Sequence, residues 1–398
     1  MRPGAIVVGA HANGLGVIRT LAARDVPTVA ITTRPFDIAH YSRWVSEHHR
    51  LPRLHDEAGA LVDLLERHAS RWSGWAVFPT NDDALTALAR NHERLSRFYR
   101  LAVQPWEVVS HLVDKDRMHA LAAATGLDVP VCHGAATADL ASRPDVRFPL
   151  VVKPVQHDRL INAEGVKLFL VQDGDELRAA VDRLARLDLA GLAFEFIPGG
   201  DGDIFVHAVY LHRGGDPSPG VTIRKVRQNP PLTGSARVAE VVGEIPELRE
   251  ATIAVARRAG LHGLAFAEFK RDSRTGRFRF VEVNARPVLF NGVLPPTGID
   301  LVATAWADIV LGTRPALRRE DWRGVWIHEQ ADVLGSWTHR RAEALSVGEF
   351  LAPYRRPRTF AVWSARDPRP FLAQTALTAR RAWRAVAAGR PSGGLSGA

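Results

Sequence analysis

The chain has 398 residues, enough for two or three domains, and its 46% hydrophobic and 24% charged residues are ordinary for a soluble globular protein. No run of about 18 uncharged apolar residues predicts a membrane span, and the first residues lack the pattern of a secretory signal. The net charge of +9 accompanies scattered arginines without a nucleic-acid-binding motif, and the single cysteine, Cys132, excludes an internal disulfide or a CxxC metal site. We therefore expect a cytoplasmic protein that does not bind nucleic acid.

The first 110 residues alternate strand-like and helix-like segments, as in a doubly wound parallel sheet. Residues 4–10 predict a buried strand, residues 14–24 a helix, and TVAIT a second strand. The intervening glycines do not form GxGxxG, no acidic residue follows the second strand, and GK[ST] is absent, so the sequence indicates neither a dinucleotide fingerprint nor a P-loop. This turn either holds a ligand on the N–H groups of the helix start or is a plain tight turn.

The alternation of elements continues into the middle of the chain. WAVFPTND predicts a strand and a turn, after which Asp82 or Asp83 begins a helix. Residues 114–125 have helical apolar spacing, and FPLVVKP predicts an apolar strand that ends near Lys153. A helix over residues 175–187 precedes the strand LAFEFIPGG.

The lysines are few and clustered along the sequence. Of the 52 basic residues only five are lysine, and all five lie between positions 115 and 270. They are Lys115, Lys153, Lys167, Lys225 and Lys270. A GC-rich genome would explain the excess of arginine, but it would not empty both ends of the chain of lysine. Because lysine is a compact point charge, this pattern directs attention to the centre of the chain.

The segment AFAEFKRDSRTGRFRFVEVNARP predicts a β-hairpin with a turn near residues 274–275. Glu282 and Asn284 lie on the same face of one strand, and the turn position brings Glu268 of the partner strand close to Glu282. Two carboxylates and an amide oxygen then converge, which suits Mg²⁺ shared with phosphates. Since no His or Cys joins them, zinc is not indicated.

A solvated face is the alternative for this hairpin. The carboxylates would then pair with nearby arginines, namely Arg277, Arg279 or Arg286. The strands are otherwise so apolar (LAFAEF and FVEVN) that we favour the metal site.

The motifs VVKP, FEFIPGG, AEFK and VEVNARP, in this order and spacing, resemble the ATP-grasp superfamily. IRKVRQNPP is similar to a stretch of D-aspartate ligase-like and other carboxylate–amine ligases, and the resemblance covers roughly residues 1–312. It implies an α/β fold with a Rossmann-like pre-ATP-grasp domain (1–112) and a two-lobed α+β ATP-grasp module (113–312). A small C-terminal extension (313–398) would follow, and its Gly/Ser-rich end is expected to be disordered.

The resemblance implies that ATP phosphates and metal meet at the centre of the chain. Lys115 and Lys153 would contact the phosphates as flexible ammonium groups. Glu268, Glu282 and Asn284 would hold one or two Mg²⁺ or Mn²⁺ ions.

The resemblance also implies an adenine and ribose site. Glu195, Phe196 and Ile197 would form the hinge at which adenine lies. Asp203 would reach the ribose hydroxyls, with Asp201 close enough to compete.

Four basic residues would act at the reacting groups. Arg286, two residues after Asn284, would stabilise the transferred phosphate or acyl phosphate. Lys225, with Arg224 or Arg227, would lie near the γ-phosphate or the substrate carboxylate.

The phosphate-covering flap is the main departure from the family. Family members have a glycine-rich flap after the second lysine, whereas the stretch QHDRLINAEGVK has only Gly165. We expect order–disorder behaviour around residues 156–167 and leave open whether they contact phosphates. Lys167 is expected at the surface.

The resulting hypothesis is an ATP-dependent carboxylate–amine ligase that works through an acyl phosphate and releases ADP and phosphate. The partners would be small-molecule carboxylate and amine substrates, an amino acid among them, and the oligomeric state, a homodimer included, stays open. Alternatives are an ATP-grasp enzyme with a non-amine acceptor (a carboxylase or a thiol or hydroxyl ligase), a non-catalytic ATP-binding regulatory protein, and a nicotinamide-dependent oxidoreductase. The basic segment around Trp383 predicts an ordinary amphipathic helix rather than a membrane contact.

Overall fold

The structure is a computed structural model that describes residues 3–57, 59–155, 157–164 and 166–387. It contains three β-sheets with helices packed around them. The Gly/Ser-rich end of the chain, expected to be disordered, lies outside the described residues. Within the described part no single helix is long and apolar enough to cross a membrane, although one pair bent by 91° passes that test jointly by length and composition.

The N-terminal part forms a five-stranded parallel sheet of order β3-β2-β1-β4-β5. Its strands are β1 (Ala5–Val8), β2 (Thr28–Thr32), β3 (Val45–Arg50), β4 (Ala76–Pro79) and β5 (Arg100–Leu101). Its helices are α1 (Ala12–Ala22), α2 (Gly59–Arg67), α3 (Asp82–Arg90), α4 (His92–Ser96) and α5 (Trp106–Val113). The strands β1, β2 and β4 are buried along their whole length, which explains their unbroken apolar sequence.

A smaller antiparallel sheet of order β6-β9-β7-β8 follows. Its elements are α6 (Lys115–Ala123), β6 (Cys132–Ala135), β7 (Leu150–Pro154), α7 (His157–Glu164), β8 (Phe169–Val171), α8 (Gly174–Arg186) and β9 (Gly191–Glu195). Eight residues of the segment expected to change between order and disorder form α7, and residues 156 and 165 lie outside the described residues.

The largest sheet has seven strands in the order β14-β13-β10-β11-β12-β15-β16. Its strands are β10 (Ile204–Leu211), β11 (Val221–Asn229), β12 (Ser235–Gly243), β13 (Gly263–Arg271), β14 (Phe278–Asn284), β15 (Val325–Ile327) and β16 (Arg358–Phe360). The accompanying helices are α9 (Pro246–Arg258), α10 (Leu301–Trp306), α11 (Glu329–Thr338), α12 (Arg340–Glu343), α13 (Val347–Leu351) and α14 (Arg369–Ala387). Neighbouring strands are antiparallel except β15 and β16, so residues beyond the expected boundary at 312 complete the same sheet.

The hydrophobic cores differ between the three sheets. One cluster joins the N-terminal sheet to the seven-stranded sheet, and it includes Val7 and Ile18 together with Phe266 and Trp326. The four-stranded sheet instead closes its own core with α8 and the segment around Leu140. The N-terminal sheet and the seven-stranded sheet therefore form one packed body, and the four-stranded sheet is a separately packed lobe.

Candidate functional site

The hairpin β13–β14 brings the expected acidic residues together. Glu268 lies directly opposite Glu282 in the strand register, and Phe266 lies opposite Asn284. The side-chain amide of Asn284 donates to Glu282 Oε1 at 3.3 Å. The turn position thus predicted the pairing of the two carboxylates correctly.

Lysines from two other elements neutralise these carboxylates. Lys225 Nζ, on β11, is 2.7 Å from Glu268 Oε2. Lys115 Nζ, at the start of α6, is 3.7 Å from Glu282 Oε2. Since Asp114 caps α6 through the backbone N–H of Arg117 at 3.1 Å, the first turn of that helix is fixed beside the hairpin.

The electrostatics of Glu282 reflect this basic surrounding. Burial alone would raise the pKa of its carboxyl, but Lys115, Lys153 and Lys225 outweigh burial and hold the pKa well below its usual range. The group is therefore an anion at any pH near neutrality and is ready to bind a cation.

The hairpin offers two carboxylates and one amide oxygen as metal ligands. In the described part of the chain no three His, Cys, Asp or Glu side chains group together as they would around a metal ion. Mg²⁺ commonly uses one or two carboxylates and takes its remaining ligands from water and substrate phosphates. The donor set Glu268, Glu282 and Asn284 fits that manner of binding.

Lys153 approaches the hairpin from the four-stranded lobe. It lies on β7, and its Nζ is 5.4 Å from the centroid of the Phe194 ring. Its pKa is lowered to about 8. Burial is the main cause and the charge of Lys115 adds to it, while Glu282 and Glu268 act in the opposite direction. The two lobes therefore face each other with a lysine on one side and the acidic hairpin on the other.

The segment predicted as the adenine hinge links the two lobes. The carboxylate of Glu195 accepts hydrogen bonds from both terminal nitrogens of Arg279, each at 2.9 Å, so β9 is joined to β14. The Phe196 N–H donates to Pro149 O at 3.4 Å, and Ile197 is buried. Lys270 Nζ lies 4.4 Å from the centroid of the Phe196 ring, and burial lowers its pKa to about 8.

The two aspartates considered for the ribose have different partners. The carboxylate of Asp201 accepts from Gln228 N at 2.7 Å and from Leu232 N at 2.6 Å, which fixes the turn between β11 and β12. Asp203 is held by Arg271 NH2 at 2.9 Å and by Gly200 N at 2.9 Å, near the protein surface. Both carboxylates are thus held by donors of the protein, and neither aspartate is among the described residues that line the cavity.

The three basic residues of β11 separate in the structure. Lys225 lines the cavity at the hairpin. Arg224 pairs with Glu240 (Nε to Oε1 2.6 Å), and Arg227 donates to Asp332 at 2.9 and 2.7 Å. Neither arginine is among the residues that line the cavity in the described chain, because each is held by a carboxylate elsewhere. A register shift between residues 225 and 227 changes the alternation of side chains.

Arg286 connects the hairpin to the N-terminal sheet. It follows β14, and its Nε donates to Asp82 Oδ1 at 2.6 Å in the first turn of α3. That helix begins at Asp82, one of the two predicted starts, because Asn81 is the N-cap and its Oδ1 accepts from Ala84 N at 2.8 Å. The turn of VFPTND therefore reaches the hairpin.

A cavity of about 360 Å³ lies among these elements. The hairpin, the turns that follow β1, β2 and β4, the β11–β12 turn and the start of α11 all line it. Because the turns at the carboxyl ends of parallel strands meet at one edge, the N-terminal sheet forms one wall of the cavity.

Sequence reasoning missed some residues of the site. Lys167 is exposed, as expected for a surface residue, yet it lines the cavity and its Nζ donates to Ser235 Oγ at 2.6 Å. His119, one turn after Lys115, donates its Nε2–H to Val281 O at 2.9 Å, and burial lowers its pKa. The clustering of the five lysines was a signal for Lys167, whereas nothing in the sequence singled out His119.

Comparisons with known proteins agree with this geometry. No protein-family model matches the chain. The chain is 25% identical over 214 residues, half its length, to a D-alanine–D-alanine ligase of Acidiphilium cryptum, and the match spans 66% of that relative, just under two thirds. The L-amino acid ligase of Bacillus licheniformis superposes with a TM-score of 0.60 at 18% identity, covering 78% of this chain and 74% of that one. The biotin carboxylase of Campylobacter jejuni superposes with a TM-score of 0.61 at 14% identity, covering 81% of this chain and 74% of that one.

The fold is that of the ATP-grasp ligases, and the predicted resemblance to the ATP-grasp superfamily is confirmed. The neighbours include amino acid ligases and carboxylases alike, so they define the ligase fold without defining the bond that is formed.

Proposed function

We propose that this chain is an ATP-dependent carboxylate–amine ligase that forms an amide bond through an acyl phosphate. The observation that carries the proposal is the meeting of the acidic hairpin with lysines from three elements, one of which, Lys225, also lines the cavity. Glu268 and Glu282 pair across the strands, and Lys225, Lys115 and Lys153 surround them. Such a site combines a divalent-cation position with positive charge for phosphoryl groups.

ATP would lie between the four-stranded lobe and the seven-stranded sheet. The hinge Glu195–Ile197 would contact adenine through backbone groups and apolar side chains, since the Glu195 carboxylate is already bound to Arg279. Asp203 would accept hydrogen bonds from the ribose. Lys115 and Lys153 would then reach the phosphates in front of the hairpin.

We propose that the domains divide as the motifs suggest. Residues 1–112 would be the Rossmann-like pre-ATP-grasp domain and residues 113–312 the ATP-grasp module. Residues 313–398 would be an extension, part of which adds two strands to the large sheet.

The first chemical step would be transfer of the γ-phosphoryl to a substrate carboxylate. A bound Mg²⁺ on Glu268, Glu282 and Asn284 would neutralise phosphate charge and polarise the phosphoryl group. Lys225 and Arg286 would orient the attacking carboxylate and stabilise the negative charge that develops on the transferred group. Both side chains line the cavity beside the hairpin, where this carboxylate must lie.

The second step would be attack of an amine on the acyl carbon, with release of phosphate. The amine must enter from the part of the cavity walled by the N-terminal sheet, because the ATP lobe occupies the other side of the hairpin. The amine would lose a proton as the amide bond forms and the bond from the acyl carbon to the phosphate oxygen breaks.

A carboxylase that uses bicarbonate is the second candidate, because a biotin carboxylase superposes on the chain about as well as the amino acid ligase does. It would form an acyl phosphate from bicarbonate and would need no organic acid. The regulatory alternative would bind ATP without turnover.

ADP release separates these functions. The purified chain would be given ATP and Mg²⁺ with a panel of carboxylic acids, amino acids or bicarbonate, with hydroxylamine as a general acceptor. The proposal predicts ADP and a hydroxamate with at least one organic acid. ADP release that depends only on bicarbonate would favour the carboxylase, and tight ATP binding without ADP would favour the regulatory protein.

A further inference from the structure

Three helices begin at the end of the cavity that faces the N-terminal sheet. The N-cap residues of α1, α3 and α11 are His11, Asn81 and His328, and all three line the cavity. Asn81 caps its own helix through Ala84 N, whereas neither histidine side chain makes a capping hydrogen bond. The early N–H groups of α1 and α11 therefore direct partial positive charge toward this end of the cavity.

His328 adds a second and independent observation. Its side chain is only 2% exposed, and neither of its ring nitrogens has a hydrogen-bond partner among the described residues. The His11 ring is its neighbour, with the two ring centroids 6.2 Å apart. Because buried polar groups in folded proteins are nearly always paired, an unpaired imidazole on a cavity wall indicates a ligand that would pair it.

A second unpaired buried side chain lies at the same end of the cavity. Arg237 is fully buried and lines the cavity, and its Nε has no partner in the described chain. Its remaining nitrogens are held by Asp332 O at 3.0 Å, by Ser336 Oγ at 2.8 Å and by Glu343. The guanidinium is therefore fixed in place with one N–H left over.

These donors fit a group with a single negative charge. Burial lowers the pKa of His11 to about 4, helped by the charge of Arg34, and lowers the pKa of His328 to about 3. Both imidazoles are neutral near pH 7, so each donates one N–H without adding a full charge. The two neutral imidazoles and the helix N-termini suit a carboxylate, and the charge of Arg237 is already balanced by Glu343.

One carboxylate of the protein that lines the same cavity is already occupied. Asp37 lines the same cavity, but its Oδ2 accepts from Thr33 N at 2.7 Å and from Arg34 N at 3.0 Å. It therefore shapes the turn after β2 and is not the partner of the two histidines.

We propose that His11 and His328, at the starts of α1 and α11, form a subsite for a non-reacting carboxylate of a substrate. The inference rests on the proposed function, in which the reacting carboxylate lies at the hairpin beside Lys225 and Arg286. A carboxylate on the amine makes that substrate an amino acid. A second carboxylate on the acid makes it a dicarboxylic acid, and the two sources share the same recognition chemistry.

Binding measurements on the full chain test the subsite without requiring turnover. The chain, with Mg²⁺ and a non-hydrolysable ATP analogue, would be titrated by calorimetry with the twenty amino acids and with short dicarboxylic acids. Each compound would be paired with its analogue lacking one carboxylate, a simple amine or a monocarboxylic acid. We expect at least one compound to bind at least tenfold more tightly than its analogue, and the type of compound identifies the source of the carboxylate.

Variants locate the effect. His328→Leu and His11→Leu should each lower the affinity for that compound by tenfold or more and leave the affinity for its analogue unchanged. His207→Leu is the matched control, because His207 is also buried with an unpaired Nε2 but does not line the cavity. If His328→Leu does not fold, His11→Leu alone decides the question, since His11 is only partly buried.

Two results would overturn the subsite. One is equal binding of every compound and its decarboxylated analogue, and the other is wild-type affinity in both histidine variants. A failure of the ligase function looks different, because carboxylate-dependent binding would persist while no ADP is formed with the same compounds.

Discussion

The N-terminal sheet and the four-stranded lobe, which form the two walls of the proposed active-site cleft, are attached to the large sheet in different ways. The N-terminal sheet shares one hydrophobic core with it, whereas the four-stranded lobe keeps its own core. That lobe is joined to the large sheet through polar contacts, among them Glu195 with Arg279 and Lys167 with Ser235. Ion pairs and hydrogen bonds of this kind are weaker and more easily rearranged than a packed core.

The two walls should therefore differ in how freely they move relative to the large sheet. The wall that would hold the acceptor is built on a fixed core, and the wall that would hold ATP is free to adjust. A fixed wall keeps reacting groups aligned, and an adjustable lobe lets a nucleotide enter and leave. The predictions below test this division of roles.

The largest effect is expected on the hairpin where the two walls meet. Glu282→Gln should lower turnover by at least about 10³-fold, because a metal ligand worth several kcal/mol of charge stabilisation is removed. ADP release under saturating ATP measures it, and Glu176→Gln on α8 is a control of the same chemistry. Unchanged activity in Glu282→Gln would show that the hairpin does not bind the metal. Circular dichroism should show an intact fold.

A comparison of Lys225 with Arg224 tests which basic residue of β11 acts on the substrate. Lys225→Ala should lower turnover by about 10²-fold, as is typical for one donor to a developing charge. Arg224→Ala should change turnover by no more than a few-fold, since Arg224 pairs with Glu240 outside the cavity. Equal losses in the two variants would contradict the geometry of β11.

The ATP affinity of the four-stranded lobe should depend on pH. The pKa of Lys153 is lowered to about 8, so its positive charge is present below pH 8 and is lost as the pH rises through 8. ATP affinity should therefore fall, by up to about tenfold per pH unit above pH 8. Calorimetry at pH 8.5 in buffers of different ionisation enthalpy should detect proton uptake on ATP binding. Lys153→Met should remove part of that uptake.

The smallest effect on activity is expected at the brace between the lobes. Arg279→Gln should lower the free energy of unfolding by about 1.5 to 3 kcal/mol, the usual range for hydrogen bonds to charged groups, because Arg279 is buried and binds Glu195 and Asp128. It should raise the KM for ATP more than the KM for the acceptor, because only the ATP wall is loosened. Arg271→Gln, which removes a more exposed arginine that pairs with Asp203, is the variant against which the stability of Arg279→Gln is compared. Equal changes in both KM values would argue that the two walls move together.

Much of the site could be predicted because its signals are local. The hairpin register follows from one turn, so the pairing of Glu268 with Glu282 was predictable from spacing. The order of the motifs around Lys153 and Asn284 was enough to identify the superfamily. The amphipathic helix predicted around Trp383 is present as α14, which packs Phe371 and Leu377 against the core and leaves Trp383 71% exposed.

The rest depends on contacts that no local pattern records. The register shift after Lys225 turns Arg227 toward Asp332, 105 residues away, and sequence spacing cannot reveal an irregularity of that kind. His11 and His328 meet only because α1 and α11 begin at the same cavity. The helix α7 occupies the stretch where family members have a glycine-rich flap, which agrees with the scarcity of glycines in that stretch but could not be predicted as a helix from it.

The order of strands in the seven-stranded sheet has a consequence for synthesis on the ribosome. The edge of β12 is covered only when β15 has emerged, and β16 follows more than 100 residues after β12 ends. Until then the nascent chain carries an exposed strand edge that can pair with another chain. A truncation after residue 312 would make that temporary state permanent, so shortened versions should aggregate even though the hairpin at the opposite edge is complete.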